Sequence, residues 1–372
     1  MRTQTPDSRR PFAVLALLLG ACAAPDAAND AATIAPGSTR GSVIAVDPAF
    51  VPGPLIYLTS AIGEADIASL TEAHPDQIEI LGGQTRDSVL EHAGEAHGID
   101  AHLLSEEFLA AAPNLAWVQS FSAGVERYVD MEGLTGRTGV VLTNAKGVHG
   151  PVIAEHVFAM LLAQMRGLYA YGEAQERERW DRNASPAPTS LAGRTMLVAG
   201  MGGIGSHVAQ RAHAFDMRVL ATVRSERPAP EYVDLLTTGD RLDELLPQTD
   251  VLVICLPLTD ETRGLFDARR LGLLRPGAYV VNIARGPILD TQALIDALDR
   301  GHLAGACLDV TDPEPLPMDH ELWWHEGVTI TPHVASRAEL TGERRDALVR
   351  ENMERFIAGE PLLNVVDREL GY

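Results

Sequence analysis

The stretch TMLVAGMGGIGSHVAQRAHAFDMRVLATV, residues 195–223, leaves the chain little choice of fold. An apolar run of strand length ends in a glycine turn, the turn opens a helix, and a second apolar run follows. Within it Gly200-Met201-Gly202-Gly203-Ile204-Gly205 satisfies G-x-G-x-x-G between a strand and a helix, where that pattern has a mechanical meaning. Gly200 permits the tight turn, Gly202 lets a pyrophosphate approach the backbone, and Gly205 lets helix pack on strand. Gly203 and Ile204 open the helix, whose N-terminus faces the phosphates. This unit predicts a dinucleotide site in an open parallel sheet.

Further apolar runs follow as VLVICLPL, AYVVNIA, LAGACLDV and GVTITPH, interleaved with helices such as TQALIDALDRGH, which Asp290 caps. Upstream, PLIYLTS, IEILGG and LAWVQSF alternate with helical segments such as SEEFLAAA and predict a second α/β domain. Between them GPVIAEHVFAMLLAQMRGL, 150–168, reads as one long buried helix with Pro151 in its first turn, and DRNASPAPTSLAG, 181–193, as a linker.

The formal charge of −21 argues against a nucleic-acid partner. Of three cysteines, Cys255 and Cys307 sit in apolar runs and read as buried free thiols. Cys22 follows the short apolar run of SRRPFAVLALLLGAC, where Leu19-Gly20-Ala21-Cys22 resembles a lipobox and Ser8-Arg9-Arg10-Pro11-Phe12 a twin-arginine export signal. Residues 1–22 are thus expected to be a signal peptide and 23–42 a flexible tether, in an exported protein whose one membrane contact is a lipid anchor. A start codon assigned too early is the alternative, and the protein is then cytoplasmic.

A dinucleotide site of the NAD type carries an acid after the second strand, to hold the ribose 2′-hydroxyl. Here Val223 is followed by Arg224-Ser225-Glu226-Arg227, and an arginine suits a 2′-phosphate. NADP(H) is the preferred cofactor; NAD(H) stays open through Glu226. Farther on, Arg285 follows one strand, Asp309 and Glu314 lie at or beyond the end of the next, and His333 ends the last. The ligand crevice of an open α/β sheet lies beyond the carboxyl ends of its strands, so these side chains reach one rim. Reducing a ketone builds negative charge on oxygen. A histidine can protonate it, a carboxylate favours the charged imidazole, and a guanidinium can grip a neighbouring carboxylate. The implied substrate is a small 2-oxo acid or, in reverse, a 2-hydroxy acid.

VNIARGPILDTQALIDAL, LDVTDPEPLP, TPHVAS and CLPLTDETRGL, with the glycine turn, resemble the D-isomer-specific 2-hydroxyacid dehydrogenase family from about Pro54 to near the C-terminus. The resemblance implies a Rossmann-type nucleotide domain (150–333, with a hinge helix) inserted into a flavodoxin-like substrate domain (43–149 and 334–372), and a homodimer. It implies that Arg285 binds the substrate carboxylate and carbonyl, that Glu314 pairs with His333, and that His333 is the acid/base. In SFSAGVE, 120–126, the Ala123 and Gly124 amides would hold the carboxylate. Pro257, Thr262, Ala284 and Asp309 would join the cofactor contacts. A glutamate at 314 speaks against the formate dehydrogenase branch, and the missing acid after the second strand points to glyoxylate/hydroxypyruvate reductase-like members. A dinucleotide-dependent sensor without turnover, or the same scaffold oxidising phosphite, are the other readings. His149 and His156 stand at the start of the buried helix, where they could approach the cleft, and read first as packed or solvated histidines; Trp323 and Trp324 read as core or dimer packing or as an aromatic near the substrate.

Overall fold

The computed structural model describes residues 53–183 and 187–371. The expected signal peptide and tether lie outside the described residues.

Two parallel sheets organise the chain. The first contains β1 (Leu55–Leu58), β2 (Ile78–Leu81), β3 (Gly98–Asp100), β4 (Trp117–Gln119) and β5 (Val141–Thr143), in the order β2-β1-β3-β4-β5. That is the flavodoxin-like order. The second contains β6 (Thr195–Ala199), β7 (Arg218–Val223), β8 (Leu235–Thr238), β9 (Val251–Ile254), β10 (Ala278–Asn282), β11 (Leu303–Leu308) and β12 (Val328–Ile330), in the order β12-β11-β10-β9-β6-β7-β8. Its order reverses between β6 and β9, the Rossmann switch point, directly above the glycine turn.

The strand sequences explain the layering. TMLVA, VLVI and AYVVN are buried along their whole length, as parallel strands covered on both faces must be. Leu197, Leu252 and Val280 face one core, Val198, Val253 and Val281 the other. On the first sheet, Trp117 lies between Tyr57 and Phe356, its ring centroid 5.0 Å from each. Phe356 belongs to the C-terminal helix Glu339–Ala358, which brings Met353, Phe356 and Ile357 into the core under β1 and β4. Asn352 on that helix donates to Gln119 Oε1 (3.1 Å) and accepts from the Leu363 amide (2.7 Å), and the Val366 amide donates to Leu142 (2.8 Å). The chain thus returns to the first sheet after completing the second.

The hinge helix Gly150–Met165 packs on the glycine-turn helix Gly203–Ala214. Contact is close because Gly150 lacks a Cβ, which would stand 2.3 Å from the His207 ring. The single helix expected over 150–168 ends at Met165; Gly167 adopts a left-handed φ of 66° and a separate helix runs Leu168–Glu176. Strands β3, β5 and β8 do not stand out as apolar runs, since their segments GID, VLT and LLTT each mix apolar with polar residues. VLVICLPL is a strand only to Ile254, because Pro257 has no N–H for the ladder. Cys307 is buried, its thiol donating to Gln164 Oε1 at 3.2 Å, and burial pushes both it and Cys255 up to about 12. Among the described residues no helix is long and apolar enough to cross a membrane.

Removing the Phe356 ring opens a cavity beneath Trp117. Phe356→Ala is expected to destabilise the first sheet by about 3–5 kcal/mol, seen as a lower denaturant midpoint; an unchanged midpoint would show that the returning helix does not hold this domain.

Candidate active site

β10, β11 and β12 are neighbours in the second sheet, and each delivers polar residues just past its carboxyl end. Beyond β11, Asp309 is 2% exposed, and both its oxygens are engaged. Oδ1 accepts from Thr331 Oγ1 (2.6 Å) and the Val334 amide (2.9 Å), and Oδ2 accepts from the Ala335 amide (3.0 Å). Because Thr331 donates to Asp309, its oxygen is left to accept from His156 Nε2 at 2.9 Å. The His333 amide donates to the Asp309 carbonyl at 2.8 Å. These bonds hold His333 at a φ of 53°, a left-handed conformation that a non-glycine residue keeps only when its surroundings impose it. Asp309 was expected among the cofactor ligands; although it borders the cavity, its carboxylate is the anchor of the His333 loop.

His333 Nδ1 lies 2.7 Å from Glu314 Oε1, both side chains about half exposed. Pairing at Nδ1 leaves Nε2 for a reacting atom. Opposite stands Arg285, beyond β10, where Asn282 brackets the turn. Its Oδ1 accepts from the Ala284 amide (3.1 Å) and its Nδ2 donates to the Arg285 carbonyl (3.0 Å). Ala284 is therefore a turn residue, and Arg285 Nη1 donates back to its carbonyl at 2.7 Å.

The guanidinium reaches the first sheet. A Cβ on Gly124 would lie 1.7 Å from Arg285 Nη2, so only glycine leaves room for the arginine against this loop. Glu126 Oε1, 3.2 Å from Arg285 Nε, holds the guanidinium there. Glu126 was not assigned a role from sequence, although it ends the SFSAGVE stretch. The loop's carbonyls are occupied: Ser122 accepts from the Ala145 amide (3.0 Å) and Ala123 from Asn144 Nδ2 (3.0 Å). Among the described residues the Ala123 and Gly124 amides find no acceptor, and they stand beside the guanidinium.

A cavity of about 410 Å³ connects these groups. Ala123, Gly124, Arg285, Asp309 and His333 line it, with Ile204 from the glycine-turn helix and Ile283 and Ala335 alongside. His149 borders it too while staying buried, so it is both a packed histidine and one that approaches the cleft. Trp323 and Trp324 do not: they are 46% and 68% exposed on the surface.

The glycine turn fits a dinucleotide. Gly200 has φ 95°, and a Cβ there would meet the Cys255 carbonyl at 2.9 Å; a Cβ on Gly205 would lie 2.3 Å from the Gly200 oxygen. Gly202, by contrast, would point a Cβ into open space, where a pyrophosphate can come up to the backbone at the helix N-terminus. Beyond β7 a second cavity of about 390 Å³ is lined by Val223, Glu226, Arg227 and Arg241. Arg227 Nη2 donates to the Met201 carbonyl in the glycine turn at 2.5 Å. Arg227 and Arg241 are the cations in this lining; the expected pair Arg224 and Ser225 is exposed just before Arg227 on the same segment. Arg241 was missed because it comes from the segment after β8, a strand the apolar pattern does not reveal. Pro257 and Thr262 close their own turn, Thr262 Oγ1 donating to the Pro257 carbonyl at 2.7 Å, and line neither cavity. Among the described residues no group of histidine, cysteine and acidic side chains could hold a metal ion.

The family model for the D-isomer specific 2-hydroxyacid dehydrogenase, NAD binding domain, matches residues 158–335. The glyoxylate reductase of Pyrococcus furiosus is 32% identical over 329 residues, covering 85% of this chain and 96% of its own. Among solved structures, a D-isomer specific 2-hydroxyacid dehydrogenase family protein from Aeromonas salmonicida superposes with a TM-score of 0.74 at 35% identity, over 85% of this chain and 99% of its own. A D-isomer specific 2-hydroxyacid dehydrogenase from Xanthobacter autotrophicus, solved with NADPH and MES, gives 0.73 at 32%, over 86% of this chain and 100% of its own. Likeness of this degree spans both sheets as well as the matched nucleotide domain, and the chain accordingly belongs to the D-isomer-specific 2-hydroxyacid dehydrogenase family of NAD(P)-dependent oxidoreductases.

Proposed function

We propose that this protein is an NADP(H)-preferring reductase of small 2-oxo acids, in the manner of the glyoxylate reductases it resembles. The observation that carries the proposal is the placement of the His333–Glu314 pair, Arg285 and two acceptor-free amides around one cavity that Ile204 joins to the glycine turn. A sensor that only bound nucleotide would have no use for a paired histidine facing an arginine.

The roles follow from donors and charges. Arg285 and the amides of Ala123 and Gly124 bind the substrate carboxylate, and the guanidinium also polarises the adjacent carbonyl. Glu126 keeps Arg285 against the loop, so little ordering remains to be done when the substrate arrives. When bound, the reduced dinucleotide supplies the hydride that becomes the hydrogen on C2. His333 holds a proton at Nε2 and passes it to the substrate oxygen as charge develops there, while Glu314 at Nδ1 stabilises the imidazolium and fixes its ring. Ile204, Ile283 and Ala335 give the cavity an apolar flank that excludes water from the reacting face.

The NADP(H) preference rests on Arg227 and Arg241 at the second cavity, with Arg224 nearby on the same segment. Several solved relatives carry NADPH or NADP in their crystals, the Xanthobacter protein and a Sinorhizobium meliloti glyoxylate/hydroxypyruvate reductase among them. Export with a lipid anchor at Cys22, and assembly as a homodimer, belong to the same proposal. The protein would then leave the cytoplasm folded, carrying its dinucleotide.

His333→Ala is expected to lower kcat for glyoxylate reduction by about 10²–10⁴-fold with dinucleotide affinity retained; near wild-type turnover would remove His333 from the mechanism. The double variant Arg227→Ala, Arg241→Ala is expected to weaken NADPH binding by about 10–100-fold and NADH binding far less. Equal losses for the two nucleotides in a titration would remove the 2′-phosphate assignment.

A further inference from the structure

We infer that Asn144 is the residue that positions the carboxylate-binding amides, and that it is held for this task by Asn364, from the segment after the C-terminal helix. This rests on the 2-oxo acid reading above. In a trans peptide the N–H and the C=O point in opposite directions. The Ser122 and Ala123 carbonyls are both turned to the loop that follows β5, where the Ala145 amide and Asn144 Nδ2 each donate to one of them at 3.0 Å. The N–H groups of Ala123 and Gly124, the other halves of those two peptides, are thereby turned away from that loop, and both residues line the cavity beside Arg285. Two successive amides facing one way form an anion-binding concavity.

The second of these peptides is fixed by a side chain, and that side chain has only one way to sit. Asn144 is 3% exposed, and its Oδ1 accepts from the Lys146 amide at 3.1 Å, which leaves Nδ2 for the Ala123 carbonyl. Its backbone is gripped in turn. The Asn144 amide donates to the Asn364 carbonyl (3.1 Å), and Asn364 Nδ2 donates to the carbonyls of Asn144 (3.2 Å) and Lys146 (2.8 Å). Asn364 does this from a φ of 54°, a left-handed conformation that asparagine adopts more readily than most side chains. Beside it Val365 bridges Thr143, the last residue of β5, so the end of the chain closes on the strand that leads into Asn144.

An aspartate at 144 has the same shape and keeps the Lys146 bond, but it sets an oxygen against the Ala123 carbonyl. The peptide then gains by rotating its N–H toward residue 144, away from the cavity. A substrate carboxylate carries the same charge before and during hydride transfer, so amides that bind it hold ground state and transition state alike. Their misalignment raises KM and leaves kcat nearly as it was, the opposite of losing the proton donor.

The test uses the full chain with saturating NADPH. Asn144→Asp is expected to raise both KM for glyoxylate and the inhibition constant of oxamate, an unreactive 2-oxo acid analogue, by about 10–100-fold, with kcat within about threefold of wild type and NADPH affinity unchanged. Asn364→Gly, which accepts the left-handed backbone and loses only the carboxamide, is expected to move both constants the same way by a smaller factor. A wild-type KM in Asn144→Asp would overturn the inference, as would a parallel loss of kcat, NADPH affinity and thermal stability in both variants, the signature of residues that only support the fold. Where Asn144→Asp does not fold, KM in Asn364→Gly decides in its place, an unchanged value overturning the inference. If the wild type neither reduces glyoxylate nor binds oxamate, the 2-oxo acid reading fails and the inference falls with it; glyoxylate reduction with KM indifferent to Asn144 overturns the inference alone.

Discussion

The carboxylate of Asp309 is the constraint on which the active site depends. Three donors converge on it, one from Thr331 just beyond β12 and two from the backbone on the far side of His333. The segment between has no alternative course, which is how His333 is kept in a left-handed conformation with its ring turned to Glu314. A buried carboxylate that accepts several hydrogen bonds is rigid, and the rigidity passes to the loop it grips. His156, on the hinge helix, bonds to Thr331 in the same network. The helix joining the two domains is thereby tied to the loop that carries the histidine.

The second organising fact is that both sheets present the carboxyl ends of their strands to one cleft. The nucleotide sheet supplies Arg285, Asp309 and His333, and the other supplies the 122–124 loop and His102. Contact between them is close at Gly124, which admits the Arg285 guanidinium, and the hinge helix seats on the glycine-turn helix at Gly150, which admits the His207 ring. A chain with a formal charge of −21 nonetheless places arginines at both cavities, where anionic groups are to be held. Local fields in a cleft, rather than net charge, decide what binds there.

Much of this is legible in the sequence alone. The glycine turn, Arg285, Glu314 and His333 announce themselves because each stands beside an apolar run long enough to be recognised as a strand, and an open sheet has only one rim for ligands. Their partners were less visible. Glu126 and Arg241 act through distant segments, and their neighbours in sequence give no periodic signal. Asp309 is legible at the right rim and borders the cavity, while its grip on the His333 loop is not, since sequence shows a carboxylate without showing which amides turn toward it. In the stretch after β7, Arg224 and Ser225 stand nearest the strand end, and the fold adds that Arg227 reaches back to the glycine turn. The tryptophans at 323 and 324 illustrate the converse, conspicuous in sequence and outside the cavity's lining.

The central claim is that these groups surround a carbon which receives hydride while His333 protonates its oxygen. Reduced dinucleotide deuterated at the transferring C4 position, incubated with the protein and glyoxylate, tests this most directly by mass spectrometry of the two-carbon product. The account predicts glycolate carrying one deuterium on C2, in the stereochemical sense common to the family. Glycolate free of label, or none formed by protein that demonstrably binds the dinucleotide, would contradict it.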